Sequence, residues 1–246
     1  MDLEEFEVMY RVEDHHWWYL GMEHITRSLL DQAIGPGNHL RILDAGCGTG
    51  AVMTYLTPYG QVFGFDFAAE ALRFSRQRGH RRLTQASALA LPYADNSFDL
   101  IVSFDVICEL GIDDLEALRE FARVLRSGGH LLLRLPAYNW LLSRHDAAVH
   151  IGHRFHRREL LAKLARCRLT PVCTSYANML LFPLIVAKRF GERLIAWKQV
   201  GSDLTLDPGR LNSVLRAILS AEAPLIRSIG LPFGLTVIAL ARKNVV

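Results

Sequence analysis

Apolar residues in this chain fall into two periodicities that alternate along its length. Short buried-type runs occur in "HLRILDA" (39 to 45), in "QVFGFDF" with Val62, Phe63 and Phe65, in "RRLTQAS", in "FDLIVSF" (98 to 104) and in "HLLLRLP" (130 to 136), and each predicts a strand. Between them the spacing changes to that of a helix. Val52, Tyr55 and Leu56 form one stripe, "AAEALRFSRQ" a second that Gly79 closes, and "DDLEALREFARVLRSGGH" the strongest. In that last segment Asp113 and Asp114 stand at the start, Leu115, Leu118, Phe121, Ala122 and Leu125 share a face, and Gly128 is placed to end the helix. "RRELLAKLARC" (157 to 167) predicts a further helix, "LTPVCTSYA" a sixth strand and "GLTVIALARK" (234 to 243) a seventh. Strands alternating with helices at this spacing predict an α/β fold with a doubly wound, mostly parallel seven-stranded sheet.

Two regions stand outside that alternation. The first 37 residues are expected to form an N-terminal helical cap, and residues 38 to 246 the main domain. Within that domain, residues 137 to 156 and 179 to 232 read as inserts. The second has helical character in "LNSVLRAILSAEAPLI" and is too long for a plain loop, and the two inserts together are expected to form a lid over the strand ends.

Where the first strand meets its helix the chain reads "RILDAGCGTGAV" (41 to 52). Bare backbone at a strand-to-helix turn lets a ligand approach main-chain N–H groups. Gly46, Gly48 and Ala51 fit the dinucleotide form G-x-G-x-x-G/A, while Asp44, Gly46, Gly48 and Gly50 fit D-x-G-x-G-x-G, and the turn alone does not separate the two. Asp66 follows Gly46 by twenty residues at the end of the next strand, where a carboxylate can accept both hydroxyls of a ribose.

Composition narrows the class without naming a ligand. Half of the 246 residues are apolar and 22% are charged, which suits a soluble enzyme and excludes a disordered or fibrous chain. The formal charge of +3 is too small to imply a polyanionic partner, but it is unevenly placed. Residues 1 to 14 hold six acids and one Arg, whereas "RFSRQRGHRR" (73 to 82) holds five Arg and no acid. Cys47, Cys108, Cys167 and Cys173 form no C-x-x-C pair, so neither a disulfide framework nor a metal site is expected. The acidic start lacks the form of a signal peptide, and the apolar run "ANMLLFPLIVA" (177 to 187) falls short of the ~20 residues that span a bilayer, so a cytoplasmic protein with at most peripheral membrane contact is expected.

"ALALPYADNSFDLIVSFDVICEL" followed by "LREFARVLRSGGHLLL" resembles the class I S-adenosylmethionine-dependent methyltransferases, in particular their small-molecule branch. The pattern LP-x-x-x-x-SFD, a helix, then R-V-L-x-x-G-G recurs at the family's spacing, and the likeness covers roughly residues 38 to 136. It implies a Rossmann-like sheet whose last strand is antiparallel and S-adenosyl-L-methionine as cofactor. It also implies roles for matching positions: Asp44, Ala45, Gly46, Cys47 and Gly48 around the methionine end, Asp66 on the ribose, Phe67 beside the adenine, and Phe104 with Asp105 on the sulfonium side. Ser87, next to Ala88, stands where family members often carry an Asp that bonds the adenine amino group.

"EDHHWWYLG" (13 to 21) and "SRHDAAVH" (143 to 150) resemble two segments of a bacterial subgroup of that family. The likeness implies that the N-terminal helix closes over the cofactor with Tyr19 among its contacts; subgroup members often carry Arg where this chain has Met22. His145 and His150, with Asp146 adjacent, are the candidates for activating or positioning an acceptor, because a histidine pKa lies near neutrality. The acceptor is expected to be a small apolar or lipid-like molecule, with O-methylation favoured, because residues 178 to 190 are too apolar for a solvated loop. Methylation of nucleic acid is the competing reading; "SFDVICEL" lacks the N/D/S-P-P-Y/F/W motif of amino-methylating nucleic-acid enzymes, and no nucleic-acid partner is expected. A protein that binds the cofactor without methylating, as a regulator or cyclase, is a third reading. A monomer or homodimer is expected.

Overall fold

In the computed structural model, residues 3–37, 39–195, 209 and 211–245 are described. Seven strands form one sheet in the order β3-β2-β1-β4-β5-β7-β6. They are β1 (Leu40–Ala45), β2 (Gly60–Asp66), β3 (Leu83–Gln85), β4 (Phe98–Phe104), β5 (Leu125–Pro136), β6 (Leu169–Ala177) and β7 (Thr236–Lys243). β1 to β5 pair in parallel, and β7 runs antiparallel between β5 and β6. The order reverses between β1 and β4, so the crossovers leave to opposite sides there, and a crevice opens at the carboxyl ends of those strands.

The buried strands are as apolar as parallel pairing demands. Ile42, Leu43, Leu100, Ile101, Leu131 and Leu133 are wholly buried. Around the sheet lie α1 (Leu3–Val12), α2 (Trp17–Ala33), α3 (Ala51–Leu56), α4 (Ala69–Gln77), α5 (Asp114–Val124), α6 (Arg144–Ala148), α7 (Arg157–Arg166), α8 (Phe182–Ile195), α9 (Leu211–Ser220) and α10 (Ala223–Ser228). Asp113 caps α5 as its position suggests, accepting from the amides of Leu115 and Glu116.

One boundary differs from the sequence reading. α5 ends at Val124 and β5 begins at once, so Gly128 lies inside the strand. Leu125 pairs with Phe98, but the next partners are His130 and Leu100. The residues between them bulge out, and Gly128 takes the positive φ of 78° that such a bulge favours.

α2 packs against α9 and α10. The amide of Trp17 donates to Asn212 of α9, and the Asn212 side chain donates back to the His15 carbonyl. α1 packs on α4 through Phe6, Ala71 and Phe74. Across that contact the acidic N-terminus meets the basic run at one point: Arg78, just past α4, pairs with Glu13 at 2.8 Å and Asp14 at 2.9 Å. No helix among the described residues is long and apolar enough to cross a membrane.

Candidate active site

The turn after β1 is built on backbone that only glycine adopts easily. Gly46, Gly48 and Gly50 have φ of 77°, 52° and 90°. A Cβ on Gly46 would lie 2.2 Å from a methyl of Val106, so the turn passes close beneath the loop that follows β4. The amides of Gly46 and Cys47 both donate to the Phe65 carbonyl, fastening the turn to β2. The amide of Gly48 donates to Asp66 at 2.9 Å. Cys47 and Ala45 are buried beneath the turn.

Asp44 is 1% exposed, and its Oδ2 has no hydrogen-bond partner. Burial is the main reason its carboxyl is pushed up to about 8; the negative charges of Asp66 and Glu13 add to the effect and Arg134 opposes it. The folded protein therefore holds a proton on Asp44 that the unfolded chain has lost between pH 3.8 and about 8, and stability falls as pH rises through that window. Asp44→Asn cannot ionise. Without ligand, its melting temperature is expected to gain on that of the parent as pH rises from about 4 to about 8; parallel melting curves for the two proteins would contradict this placement.

Arg134 lies at the end of β5. Its guanidinium covers the ring of Phe104 at 4.3 Å and that of Trp18 at 4.9 Å, and it donates to Asp105 at 3.2 Å. Asp105 takes a left-handed φ of 60°, and burial pushes its carboxyl up. Tyr19 lies within the influence of Arg134, Asp105 and Glu13, and burial raises its phenol strongly. Trp18 and Tyr19 meet edge to face.

On the other side of the turn, Asp66 accepts from Gly48 and from Ala68, and the ring of Phe67 is 77% exposed beside it. Burial outweighs those bonds and raises the Asp66 carboxyl. Ser87 accepts from Leu89 in a local turn, and Ala88 is buried. Over this face comes the N-terminal segment: the Thr49 hydroxyl donates to Glu13, and the Met9 methyl lies 3.1 Å from where a Gly48 Cβ would stand.

The two histidine candidates come out differently. His150 is exposed with φ 60°, and its carbonyl accepts from Leu110. His145 falls on α6, but its side chain lies outside the described residues. Asp146 is held by a residue outside the histidine run. It is 1% exposed and engaged by Arg154 at 2.7 Å and by the amide and hydroxyl of Ser143. The loop after β4 is zipped to this region, since Glu109 bridges Ile151 and the Cys108 carbonyl accepts from Gly152 and His153. The Glu109 carboxyl is pushed up to about 7 by burial and by the charges of Asp66 and Asp105.

Comparison with known proteins decides the class. A family described as Methyltransferase domain matches residues 43–133. Residues 43–133 of the chain carry a methyltransferase domain. Its cofactor is S-adenosylmethionine. The demethylmenaquinone methyltransferase of Lactiplantibacillus plantarum is 33% identical over 146 residues, covering 51% of this chain and 61% of that protein. A mouse protein named Probable tRNA methyltransferase 9B is 32% identical over 141 residues, covering 56% of this chain and 28% of its own length. Among solved structures, a chain of the complex between the Haloferax volcanii Trm112 methyltransferase activator and a methyltransferase superposes with a TM-score of 0.62 at 17% identity, over 99% of this chain and 95% of that one. The matched stretches span between 22% and 61% of the first curated relatives.

The methyltransferase domain fits that cofactor on its own geometry. Asp44 offers a buried carboxyl oxygen without a partner, and Phe67 presents an uncovered ring where an adenine needs a flat surface. Residues that the sequence reading did not select also reach this region: Glu13, Thr49, Glu109 and Arg134. For Arg134 a signal was present, since it is the one charge within the run Leu131 to Leu135. For Glu13 and Thr49 there was none, because their pairing joins distant parts of the chain.

Proposed function

We propose that this protein transfers the methyl group of S-adenosylmethionine to a small apolar acceptor, with oxygen as the receiving atom. The reading rests on one arrangement: Asp44, the glycine turn and Asp66 at the carboxyl ends of β1 and β2, within the segment that matches the methyltransferase family. Asp44, Ala45, Gly46, Cys47 and Gly48 would surround the methionine end, Asp66 the ribose, Phe67, Ser87 and Ala88 the adenine, and Tyr19, Phe104 and Asp105 the sulfonium side. When bound, the cofactor supplies an electrophilic methyl whose leaving group needs no proton. The protein's task is then alignment and exclusion of water. The N-terminal helices, the insert 137 to 156 and the described parts of the insert 179 to 232 would act as the covering elements; residues 196 to 208 and 210 lie outside the described residues.

An apolar acceptor is supported by the aromatic wall at the carboxyl end of β5. Tyr138 stacks on Tyr176 with centroids 5.3 Å apart, and Phe182 meets Tyr138, Trp140 and Phe233 edge to face. Beside it Leu180 and Leu184 are exposed by 49% and 65%. Some of the apolar run from Met179 to Val186 is therefore available at the surface rather than spent on the core; its end at Lys188, Arg189 and Phe190 lies outside the described side chains.

A hydroxyl acceptor loses a proton as it is methylated. Glu109, whose backbone bridges Ile151, and His150, whose carbonyl accepts from the Leu110 amide, are the candidate groups to receive it. Because the Glu109 carboxyl is pushed up to about 7, it is ionised and able to act above that pH. His150→Asn and Glu109→Gln are each expected to lower turnover by at least ~100-fold, the low end for a general base, and to leave affinity for S-adenosylhomocysteine within about twofold. Full activity of both variants across pH 6 to 9 would contradict that role.

Radiolabelled S-adenosylmethionine incubated with the protein and a cell extract tests the acceptor class. Label is expected in the organic-solvent phase. Label recovered in the RNA fraction would instead support the nucleic-acid reading that the tRNA methyltransferase relative raises.

A further inference from the structure

We propose that Arg134 is the clamp for the α-carboxylate of the cofactor's methionine head, facing Asp44 as the partner of its ammonium group. This rests on the S-adenosylmethionine reading and assigns a residue within it. Arg134 is 9% exposed, in a strand whose neighbours Leu131, Leu132, Leu133 and Leu135 are buried. A guanidinium taken out of water is costly unless its N–H groups are met. One amino group donates to Asp105, and the guanidinium lies against the rings of Phe104 and Trp18, but the buried Nε–H has no partner.

A second orphan of the opposite sense lies across β4. Asp44 Oδ2 is a buried carboxyl oxygen without a partner, and an ammonium beside it would favour loss of the carboxyl proton. Asp44 pairs in register with Val102, and Arg134 with Phe104, so the two flank β4 at its carboxyl end. Strands about 4.8 Å apart put β1 and β5 about 10 Å from each other, a gap that the long arginine side chain narrows. Buried polar groups left unpaired in a folded protein call for an explanation. An amino-acid head carries one positive and one negative group, and it answers both orphans at once. The other charges acting on Asp44, those of Asp66 and Glu13, are negative, which leaves Arg134 as the cation among them. Met22 of α2, wholly buried, offers no donor.

A carboxylate could also come from an acidic acceptor, and the ligands of the test separate the two sources. Calorimetry would compare S-adenosylhomocysteine with its decarboxylated analogue, which keeps the nucleoside, the sulfur and the ammonium. The parent protein is expected to prefer S-adenosylhomocysteine by at least about tenfold, as a charged hydrogen bond of this kind supplies. Arg134→Gln is expected to remove that preference while binding the analogue within about twofold of the parent, and Arg134→Lys to restore part of it. If Arg134→Gln keeps the preference, Arg134 does not hold this carboxylate. If it weakens both ligands equally, its role is structural and the proposal fails. Should Arg134→Gln not fold, the parent still decides, since equal affinity for the two ligands overturns the clamp. A parent that binds neither ligand contradicts the cofactor reading itself, a different outcome from the loss of the Arg134 assignment alone.

Discussion

Replacing Arg154 with alanine is expected to cost the folded state about 3 to 5 kcal/mol, the range for breaking a buried ion pair by removing one partner. The buried charge of Asp146 would lose the guanidinium that reaches it through Nε at 3.0 Å and Nη2 at 2.7 Å, keeping Ser143 among the described residues. The same guanidinium donates to the Ala137 carbonyl, so its loss also frees the chain as it leaves β5. A fall in melting temperature would report the effect, and the double variant with Asp146→Ala should lose less than the sum of the single losses, since the two side chains interact. An Arg154→Ala protein as stable as the parent would contradict the buried pair. The consequence for function is indirect: this pair holds the segment that carries His150.

Asp66→Ala is expected to weaken cofactor binding by roughly tenfold to 150-fold, corresponding to about 1.5 to 3 kcal/mol for hydrogen bonds to a charged group. In the unliganded protein the carboxylate already accepts from Gly48 and Ala68. The substitution therefore loosens the glycine turn as well as removing the ribose partner. Asp66→Asn keeps an acceptor oxygen and should retain more of the turn, so its loss of affinity should be smaller. An unchanged dissociation constant in Asp66→Ala would contradict the assignment.

The strands were legible from the chain because their apolar runs are buried on both faces, as with Ile42 and Leu43 or Leu100 and Ile101. The reversal of β7 was not read from periodicity; it came with the family resemblance carried by the glycine turn and the LP-x-x-x-x-SFD pattern. Gly128 shows the limit of local reading, since a glycine suits a helix end and a strand bulge equally, and only the pairing of Phe98 with Leu125 selects the bulge. The acidic N-terminus and the basic run at 73 to 82 were visible as composition. That they meet through Arg78, Glu13 and Asp14 depends on α1 folding back onto α4. The run "SRHDAAVH" offered a histidine pair next to an acid, whereas the fold gives that acid to Arg154, outside the run.

The central claim is that the glycine turn after β1 holds S-adenosylmethionine and not a nicotinamide dinucleotide, although its glycines satisfy both patterns. Titration calorimetry of the purified protein with S-adenosylhomocysteine and, separately, with NAD tests it directly. Saturable one-to-one binding of S-adenosylhomocysteine, with no heat from NAD at the same concentrations, is the predicted result; saturable binding of NAD without any of S-adenosylhomocysteine would contradict it.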